Sequence, residues 1–336
     1  MIRILIDENV RKIADDYARN VFRRKKSFRQ PLDLLRKFRT DALEQQDDTN
    51  GKVFCAYVGR IIKKHSELLH AEPDAMKDFI NEFNRILNVK QEDEIKVRMD
   101  KEIDYENKKQ KFHDWIVELM RYDCVCHGII PYLQKINIHT CVYCNAQYAA
   151  TVKKQDGTYE TFYELDHFYP KSLYPFLCTN FYNLQPCCGA CNKHKSNKKS
   201  SFNLYTNNVA EATNPFLFSV DRETVVNAYL ASKNADDIQI CFDAPNDTAL
   251  RDNHEDCFHI SALYAAFKDV AEEIIWKRKA WDETYMLMMK RQYKGLPIPK
   301  TVQQRIIFGF YMEEANIHLR PLTKLQQDLY KQQDLV

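Results

Sequence analysis

"TCVYCN" (residues 140–145) and "CCGACN" (residues 187–192) are the two stretches that decide the fold of the middle of this chain. Each contains a Cys-x-x-Cys pair, in which the two thiols can reach one ion from a single tight turn. Four thiolates suit tetrahedral zinc and leave no position open for a reactant. The sequence therefore predicts a structural zinc site whose ligands are Cys141, Cys144, Cys188 and Cys191.

Two further cysteine patterns lie near this predicted site. Cys187 is an alternative to Cys188, but its spacing to Cys191 is one residue longer than the usual turn allows. The run Cys124-Val-Cys126-His127 is a weaker match to a ligand pattern, and we interpret it as an ordinary helix end.

The amino-acid composition limits the class of protein. The chain has 336 residues, of which 45% are hydrophobic and 29% charged, with only 7 glycines. Few glycines together with many Lys, Glu, Leu and Ile favour a mainly helical protein. The net charge of +2 is small, so any nucleic-acid-binding surface must be local.

The location of the protein is also predicted from the sequence. No apolar run approaches the length of a membrane span, and "MIRILIDENVRK" at the N-terminus does not have the pattern of a signal peptide. We therefore expect a cytoplasmic protein, in which eleven cysteines are not expected to form disulfides.

Three regions are expected along the chain. Residues 1–137 form a helical N-terminal region for docking a partner or nucleic acid, with helices expected over 56–70, 74–87 and about 104–121. Residues 138–204 form a small α+β insert. Residues 205–336 form a mostly helical C-terminal region, with a strand over 237–243 and a final helical stretch at about 300–317.

One long helix is expected in the C-terminal region, beginning near His259. Ser261 is its predicted N-cap, and Gly295 followed by Pro297 is its predicted stop. In the insert, two short strands are predicted on either side of Asp156-Gly157, and a helix is predicted within 191–200. The aromatic loop 168–181 is expected to pack against the zinc module rather than stack on bases.

The residues of the insert resemble a known family. In order they are Cys141-x-x-Cys144, Asp166-His167 followed by Pro170, Asn183-Leu184, Cys188-x-x-Cys191-Asn192 and Lys195. This series is similar to the motif of zinc-bound HNH endonucleases and covers about a fifth of the chain. The resemblance implies a ββα-metal module, in which two strands, a loop and a helix surround one divalent cation. The third motif position, often His, is Asn192 here, which resembles the HNH domain of CRISPR RNA-guided nucleases.

The resemblance also implies roles for individual residues. His167 is the expected general base, because a pKa near 6.5 is usual for this side chain. Asp166 and Asn192 are the expected oxygen ligands of a catalytic Mg²⁺ or Mn²⁺. Asn183 is expected to hold the histidine in position. Phosphate contacts are expected from Lys195, Lys171, Lys193 and Lys198, with Lys199 as a further candidate.

Several charged residues have more than one interpretation. Glu164 is either an accessory acid or, as we favour, a solvated charge. His194 could replace Asn192 as a ligand, but at two residues further along a helix it should face away. The basic run Arg23, Arg24, Lys25, Lys26 and Arg29 could bind nucleic acid, bind an acidic partner, or only increase solubility.

A looser resemblance extends beyond the insert. "DHFYPKSLYP", a later "NPF" and "FHISALYAAFKDVAEEI" are similar to HNH proteins that accompany an ATPase in Septu-type and retron-linked anti-phage systems. This resemblance implies a DNA endonuclease that is the effector of a bacterial defence system and is controlled by a partner ATPase. Two alternatives remain open, namely a zinc-stabilised nucleic-acid-binding or scaffold module without catalysis, and an RNase toxin.

Overall fold

A computed structural model of the chain describes residues 1–23, 28–45, 49–196, 198–232, 234–281, 283–292 and 298–332. Within these residues the protein is mainly helical and carries five small two-stranded sheets, which confirms the predicted mainly α class. None of the helices in these ranges is both long enough and apolar enough to cross a membrane.

In its described residues, the N-terminal region contains eight α-helices and three strands. The helices are α1 (Glu8–Asn20), α2 (Pro31–Phe38), α3 (Thr49–Leu69), α4 (Pro73–Leu87), α5 (Glu92–Met99), α6 (Phe112–Leu119), α7 (Tyr122–Gly128) and α8 (Ile130–Ile136). The strands are β1 (Ile4–Leu5), β2 (Glu102–Tyr105) and β3 (Lys108–Lys111). The helices predicted over 56–70 and 74–87 are confirmed as parts of α3 and α4. Pro73 begins α4, since the first helical position needs no N–H donor.

The helix predicted over about 104–121 is wrong in its first half. Strands β2 and β3 pair there as an antiparallel hairpin, with Glu102 opposite Lys111, and α6 begins only at Phe112. The hairpin turns at Glu106 and Asn107, whose φ angles are +48° and +60°. Two left-handed residues in a row make the tight turn that suits the twist of a hairpin and that a helix cannot contain.

In its described residues, the middle region forms two antiparallel strand pairs and one α-helix. Strands β4 (Thr151–Lys153) and β5 (Tyr159–Thr161) pair on either side of Asp156-Gly157, as predicted, and Gly157 takes the left-handed conformation. Strand β6 (Glu164–His167) pairs antiparallel with β7 (Leu184–Cys187), and α9 (Gly189–Lys195) follows. The predicted helix within 191–200 is therefore confirmed for its first turn and a half.

Where the structure describes it, the C-terminal region contains three strands and seven α-helices. The strands are β8 (Tyr205–Thr206), β9 (Leu217–Val220) and β10 (Ile240–Asp243). The helices are α10 (Arg222–Asn227), α11 (Thr248–Phe258), α12 (Ile260–Tyr264), α13 (Lys268–Ala280), α14 (Glu283–Gln292), α15 (Lys300–Phe308) and α16 (Thr323–Lys331). β8 pairs parallel with β1 from the opposite end of the chain, and β9 pairs antiparallel with β10. The strand predicted over 237–243 is confirmed by β10.

The single long helix predicted from His259 is wrong, because α12, α13 and α14 take its place. Phe267 and Trp281 leave the helical conformation, with φ and ψ of −112° and 35° and of −109° and 65°. Ser261 lies inside α12 and is not its N-cap; His259 precedes the helix in a left-handed conformation. Gly295 and Pro297 lie outside the described residues.

The final helical stretch is shorter than predicted. α15 ends at Phe308, and Gly309, with a φ of +89°, terminates it. A 3-10 turn at Glu314–Leu319 follows, and then comes α16, for which the sequence pattern gave no prediction.

The core connects all three regions of the sequence. In the aromatic loop 168–181, Phe176 is buried and stacks on Phe83 of α4 with ring centroids 3.9 Å apart. The loop therefore packs chiefly into the N-terminal helices and not only against the cysteines. On the other side, Asn145 donates to the carbonyl of Ile317 and accepts from the backbone N–H of Lys324, which fastens the C-terminal region to the cysteine turn.

Candidate functional site

Four buried thiols converge where the two quoted stretches meet. The Sγ atoms of Cys141, Cys144, Cys188 and Cys191 all lie within 4.8 Å of one another, and those of Cys144 and Cys188 are 4.0 Å apart. Tetrahedral zinc with bonds of about 2.3 Å separates its sulfur ligands by about 3.8 Å. The cluster can therefore hold a metal ion, and its four soft donors fit zinc.

The elements around the thiols explain why they meet. Cys188 caps α9, and its Sγ accepts from the N–H of Cys191 in the first turn of that helix. The turn that carries Cys141 and Cys144 lies on β7, because the N–H of Val142 donates to the carbonyl of Pro186. Neither Cys187 nor the Cys124–His127 run belongs to the four-thiol cluster. The latter lies within α7.

His167 lies at the end of β6, opposite Leu184 of β7. Its Nε2 is 3.0 Å from the carbonyl oxygen of Cys178. A carbonyl only accepts hydrogen bonds, so Nε2 carries the proton and Nδ1 of the neutral ring carries the lone pair. The ring of Tyr122 packs against the imidazole at 4.8 Å.

Burial controls the protonation state of His167. Desolvation lowers the pKa of its imidazole to about 3, the Cys178 carbonyl opposes this effect, and Lys171 and Lys195 add to it. The ring is therefore neutral at physiological pH, the form that accepts a proton.

Asn183 fixes the loop that follows His167. Its Oδ1 accepts from the N–H of Tyr169 at 2.7 Å, and its Nδ2 donates to the carbonyls of Tyr169 and Leu177, each at 3.1 Å. The side chain is fully buried and thus closes the loop from inside. This placement agrees with a supporting role, although Asn183 does not line the cavity at His167.

Both carboxylate oxygens of Asp166 are hydrogen-bonded to neighbouring side chains. The Nζ of Lys195 is 2.9 Å from each of its carboxylate oxygens, and the hydroxyl of Tyr143 donates to Oδ2. The same Nζ also donates to the carbonyl of His167 at 2.9 Å. Burial raises the pKa of Asp166, while Lys195 and Tyr143 oppose that rise by favouring the carboxylate.

Asn192 lies on the exposed side of the same unit. Its Nδ2 donates to Oε2 of Glu164 at 2.5 Å, which orients the amide. His194 faces away, as predicted, and its ring contacts that of His259 at 5.3 Å. Glu164 is exposed, as expected of a solvated charge, and does not line the cavity at His167; its carboxylate is the hydrogen-bond partner of Asn192.

A cavity of 180 Å³ brings most of the predicted residues together. It is lined by His113, Asp114, Leu165, Asp166, His167, Pro170, Lys171, Ser172, Asn192, Lys195 and Ser196. Two imidazoles, two carboxylates, an amide and two amines therefore surround one space. This combination can take a proton and offer hydrogen bonds to an anion.

The predicted lysines differ in their availability. Lys195 is 1% exposed and bonded to Asp166, so it is not placed for the phosphate contact expected of it. Lys198 is paired with Asp256 at 2.9 Å and Lys199 with Glu92 at 3.0 Å. Lys193 is exposed, and Lys171 is exposed at the cavity with its amine 4.9 Å from the Tyr122 ring centre.

Asp166 and Asn192 offer the hard oxygen donors that Mg²⁺ and Mn²⁺ prefer. Their arrangement nevertheless does not fit such an ion, since Lys195 already neutralises Asp166 at hydrogen-bond distance. A second cation beside the carboxylate would face this buried ammonium across a few ångströms. The residues fit a catalytic divalent cation only if Lys195 moves away.

Only the ends of the basic run can be placed. Arg23 and Arg29 are exposed, whereas Arg24, Lys25 and Lys26 lie outside the described residues. The sequence gives no signal for three other features of the site, namely Tyr143, Tyr122 and the Cys178 carbonyl. Each depends on tertiary packing and not on a motif.

Fold and site together define a mainly helical protein in which four cysteines that could hold a metal ion lie beside a buried Asp-His pair. No family model, curated protein or solved structure matches the chain. Its function must therefore be inferred from the site itself.

Proposed function

We propose that this protein is an HNH-type endonuclease that hydrolyses phosphodiester bonds, with DNA as the favoured substrate. The observation that carries the proposal is the state of His167. It is a neutral imidazole whose Nε2 is committed to the Cys178 carbonyl, at a cavity shared with Asp166, Asn192 and Lys171. The sequence motifs described above support the same assignment.

His167 is the general base of the proposed reaction. Nδ1 takes a proton from a water molecule while the water oxygen bonds to phosphorus and the bond from phosphorus to the 3′ oxygen breaks; the leaving 3′ oxygen takes up a proton from solvent water. A pKa of about 3 makes the free imidazole a weak base. A bound phosphate would place negative charge beside the ring and raise that pKa toward the working range.

Lys171 and Asn192 are the groups best placed for the phosphate. Lys171 is an exposed amine at the cavity, and Asn192 has its amide held by Glu164. A cation and a fixed dipole beside a developing charge stabilise a phosphoryl-transfer transition state. Lys193 adds an exposed amine on α9, and Lys198, which follows that helix, is available for phosphate only if it leaves Asp256.

The proposed cofactors have separate tasks. Zinc held by the four cysteines would be structural, cross-linking the first cysteine turn to α9. A catalytic Mg²⁺ or Mn²⁺ at Asp166 and Asn192 stays a prediction of the family resemblance, and it requires the displacement of Lys195.

Control by a partner ATPase in an anti-phage system is also part of the proposal, and it rests on the looser resemblance. Trp276 on α13 and Leu287 and Met288 on α14 are each at least half exposed. Scattered singly, such residues need no explanation, so the ATPase is not argued from them alone.

One observation favours the second candidate, a nucleic-acid-binding module without catalysis. Both oxygens of Asp166 are already hydrogen-bonded inside the protein, as they would be in a purely structural ion pair. An RNase toxin differs from the leading proposal only in its substrate.

A substrate comparison with the full chain separates these candidates. Supercoiled plasmid, linear duplex DNA and single-stranded RNA are each incubated with the zinc-loaded protein and Mg²⁺ or Mn²⁺. Nicking of plasmid supports the DNA endonuclease, whereas cleavage of RNA alone supports the toxin. Tight binding without cleavage of any of the three would contradict the proposal and support the binding module.

A further inference from the structure

Tyr143 lies between two of the clustered cysteines, and contacts hold both its ring and its carbonyl in place. It lies in the turn that joins Cys141 to Cys144 and is fully buried. Its ring stacks on Phe258 of α11 with centroids 4.2 Å apart, and its carbonyl accepts from Nε2 of His254 at 2.9 Å. The position of the Tyr143 hydroxyl is therefore set by the cysteine turn and by α11 together.

The Tyr143 hydroxyl reaches the predicted catalytic strand. It donates to Oδ2 of Asp166, the residue directly before His167 on β6. Lys195, from the last turn of α9, holds the same carboxylate and also the His167 carbonyl. The peptide that links Asp166 to His167 is thus clamped between the first cysteine turn and the helix that follows the second.

We propose that Tyr143 is a positioning residue that couples the cysteine cluster to the His167 site through Asp166. The coupling rests on the proposed endonuclease function for its catalytic consequence, but not for its structural one. Removal of the hydroxyl leaves Oδ2 of Asp166 with the Lys195 amine as its partner. The Asp166 carboxylate and the His167 peptide are then positioned by Lys195 alone. The imidazole moves away from the position in which it can act as the base.

The chain offers a matched control for this hydroxyl. Tyr264 of α12 is also fully buried, and its hydroxyl donates to the carbonyl of Cys144 at 2.6 Å. Tyr264→Phe therefore removes a hydroxyl that is equally buried and that donates to the same cysteine turn. It removes no hydrogen bond of Asp166 or His167. A general weakening of that turn would affect both variants alike.

The kinetic test compares Tyr143→Phe with Tyr264→Phe in the full-length, zinc-loaded protein. Tyr143→Phe should lower kcat for plasmid nicking about 10- to 100-fold, the usual effect of losing an outer hydrogen bond, with KM unchanged. Tyr264→Phe should keep kcat within about twofold of the wild type, and both should retain wild-type zinc content. Equal kcat values in the two variants would overturn the proposal.

A second readout does not depend on nuclease activity. The imidazole nitrogen resonances of His167 are measured with ¹⁵N-histidine labelling and assigned by their loss in His167→Ala. They should shift in Tyr143→Phe and stay in place in Tyr264→Phe. If the wild type cleaves nothing, the endonuclease proposal fails, and these resonances still decide the coupling. Unmoved His167 resonances in Tyr143→Phe would refute it whatever the activity.

Discussion

Lys195 holds Asp166 with a single amine that lies 2.9 Å from both carboxylate oxygens, and the two side chains are 1% and 6% exposed. A buried ion pair of this kind contributes little compared with apolar packing, but breaking it leaves an uncompensated charge inside the protein. Because of this ion pair, the Lys195 amine is directed to Asp166 and not to the surface at which a nucleic acid was expected to bind.

This ion pair gives a prediction for stability. Lys195→Met keeps the aliphatic length and removes the amine, so the free energy of unfolding should fall by about 3–5 kcal/mol. The double variant Asp166→Asn/Lys195→Met should recover part of that loss, because no unpaired charge remains. Guanidinium unfolding of zinc-loaded protein measures both.

An exposed pair provides the control for that experiment. Lys77 and Asp74 lie 3.0 Å apart at the surface, with side chains 64% and 73% exposed, and Lys77→Met should change stability little. A double variant no more stable than Lys195→Met would show that charge pairing is not what holds Asp166 and Lys195 together.

Asn183 gives a prediction about the loop behind His167. Asn183→Asp has the same shape but replaces Nδ2, which donates to two carbonyls, by an oxygen that repels them. We expect a loss of about 1–3 kcal/mol in the free energy of unfolding, the cost of leaving buried groups unpaired. Thermal unfolding with and without the substitution checks it, and an unchanged midpoint would mean that the loop does not depend on this amide.

The cysteine cluster predicts a specific pattern of metal binding. Cys191→Ser should abolish stoichiometric zinc and lower the unfolding temperature, because a four-thiolate site loses affinity with any one ligand. Cys187→Ser should retain zinc, since Cys187 is buried beside the cluster but is not part of it. Elemental analysis of both purified variants decides the matter, and equal zinc loss from both would contradict the ligand assignment.

His65 predicts how stability depends on pH. Burial lowers the pKa of its imidazole to about 4, and its Nε2 has no partner within the described residues. In the unfolded chain the pKa of His65 is near 6.5. Above pH 6.5 the imidazole is neutral in both states, and the free energy of unfolding has its full value. As pH falls toward 4, protonation favours the unfolded chain and the free energy of unfolding decreases. The loss amounts to at most about 3 kcal/mol.

A substitution isolates this contribution. His65→Leu removes the titrating group, so its stability should fall less between pH 6.5 and pH 4 than that of the wild type. Urea unfolding at several pH values gives the slope of the free energy of unfolding against pH for the wild type and for His65→Leu. Parallel curves would show that His65 is not the group responsible, and attention would turn to the other buried histidines, such as His254, whose pKa burial lowers to about 3.

Local patterns predicted the parts of this protein that depend on local chemistry. The Cys-x-x-Cys spacing placed four thiols within reach of one ion, and Asp156-Gly157 marked its hairpin turn, because both signals act over a few residues. The missed hairpin at 102–111 also had a signal, since Ile103 and Tyr105 alternate with exposed residues along β2.

Other features depend on packing that no short pattern carries. Phe267 and Trp281 interrupt the expected long helix although neither is a glycine or proline. The helix α9 does contain Lys195 one turn after Asn192, as expected. Only the docking of α9 on β6 decides that the amine turns inward to Asp166. Tyr143 acquires its partner in the same way, 23 residues along the chain.

Two histidine variants test whether His167 is the base of a phosphodiester hydrolase. Single-turnover nicking of supercoiled plasmid is measured for His167→Ala and for His194→Ala. His194 is an exposed histidine of α9 whose ring contacts His259 and does not line the cavity. His167→Ala should lose nicking by at least about 100-fold, the usual contribution of general base catalysis, with zinc content retained, while His194→Ala should nick like the wild type. Nicking by His167→Ala at the wild-type rate would contradict the assignment of His167 as the base.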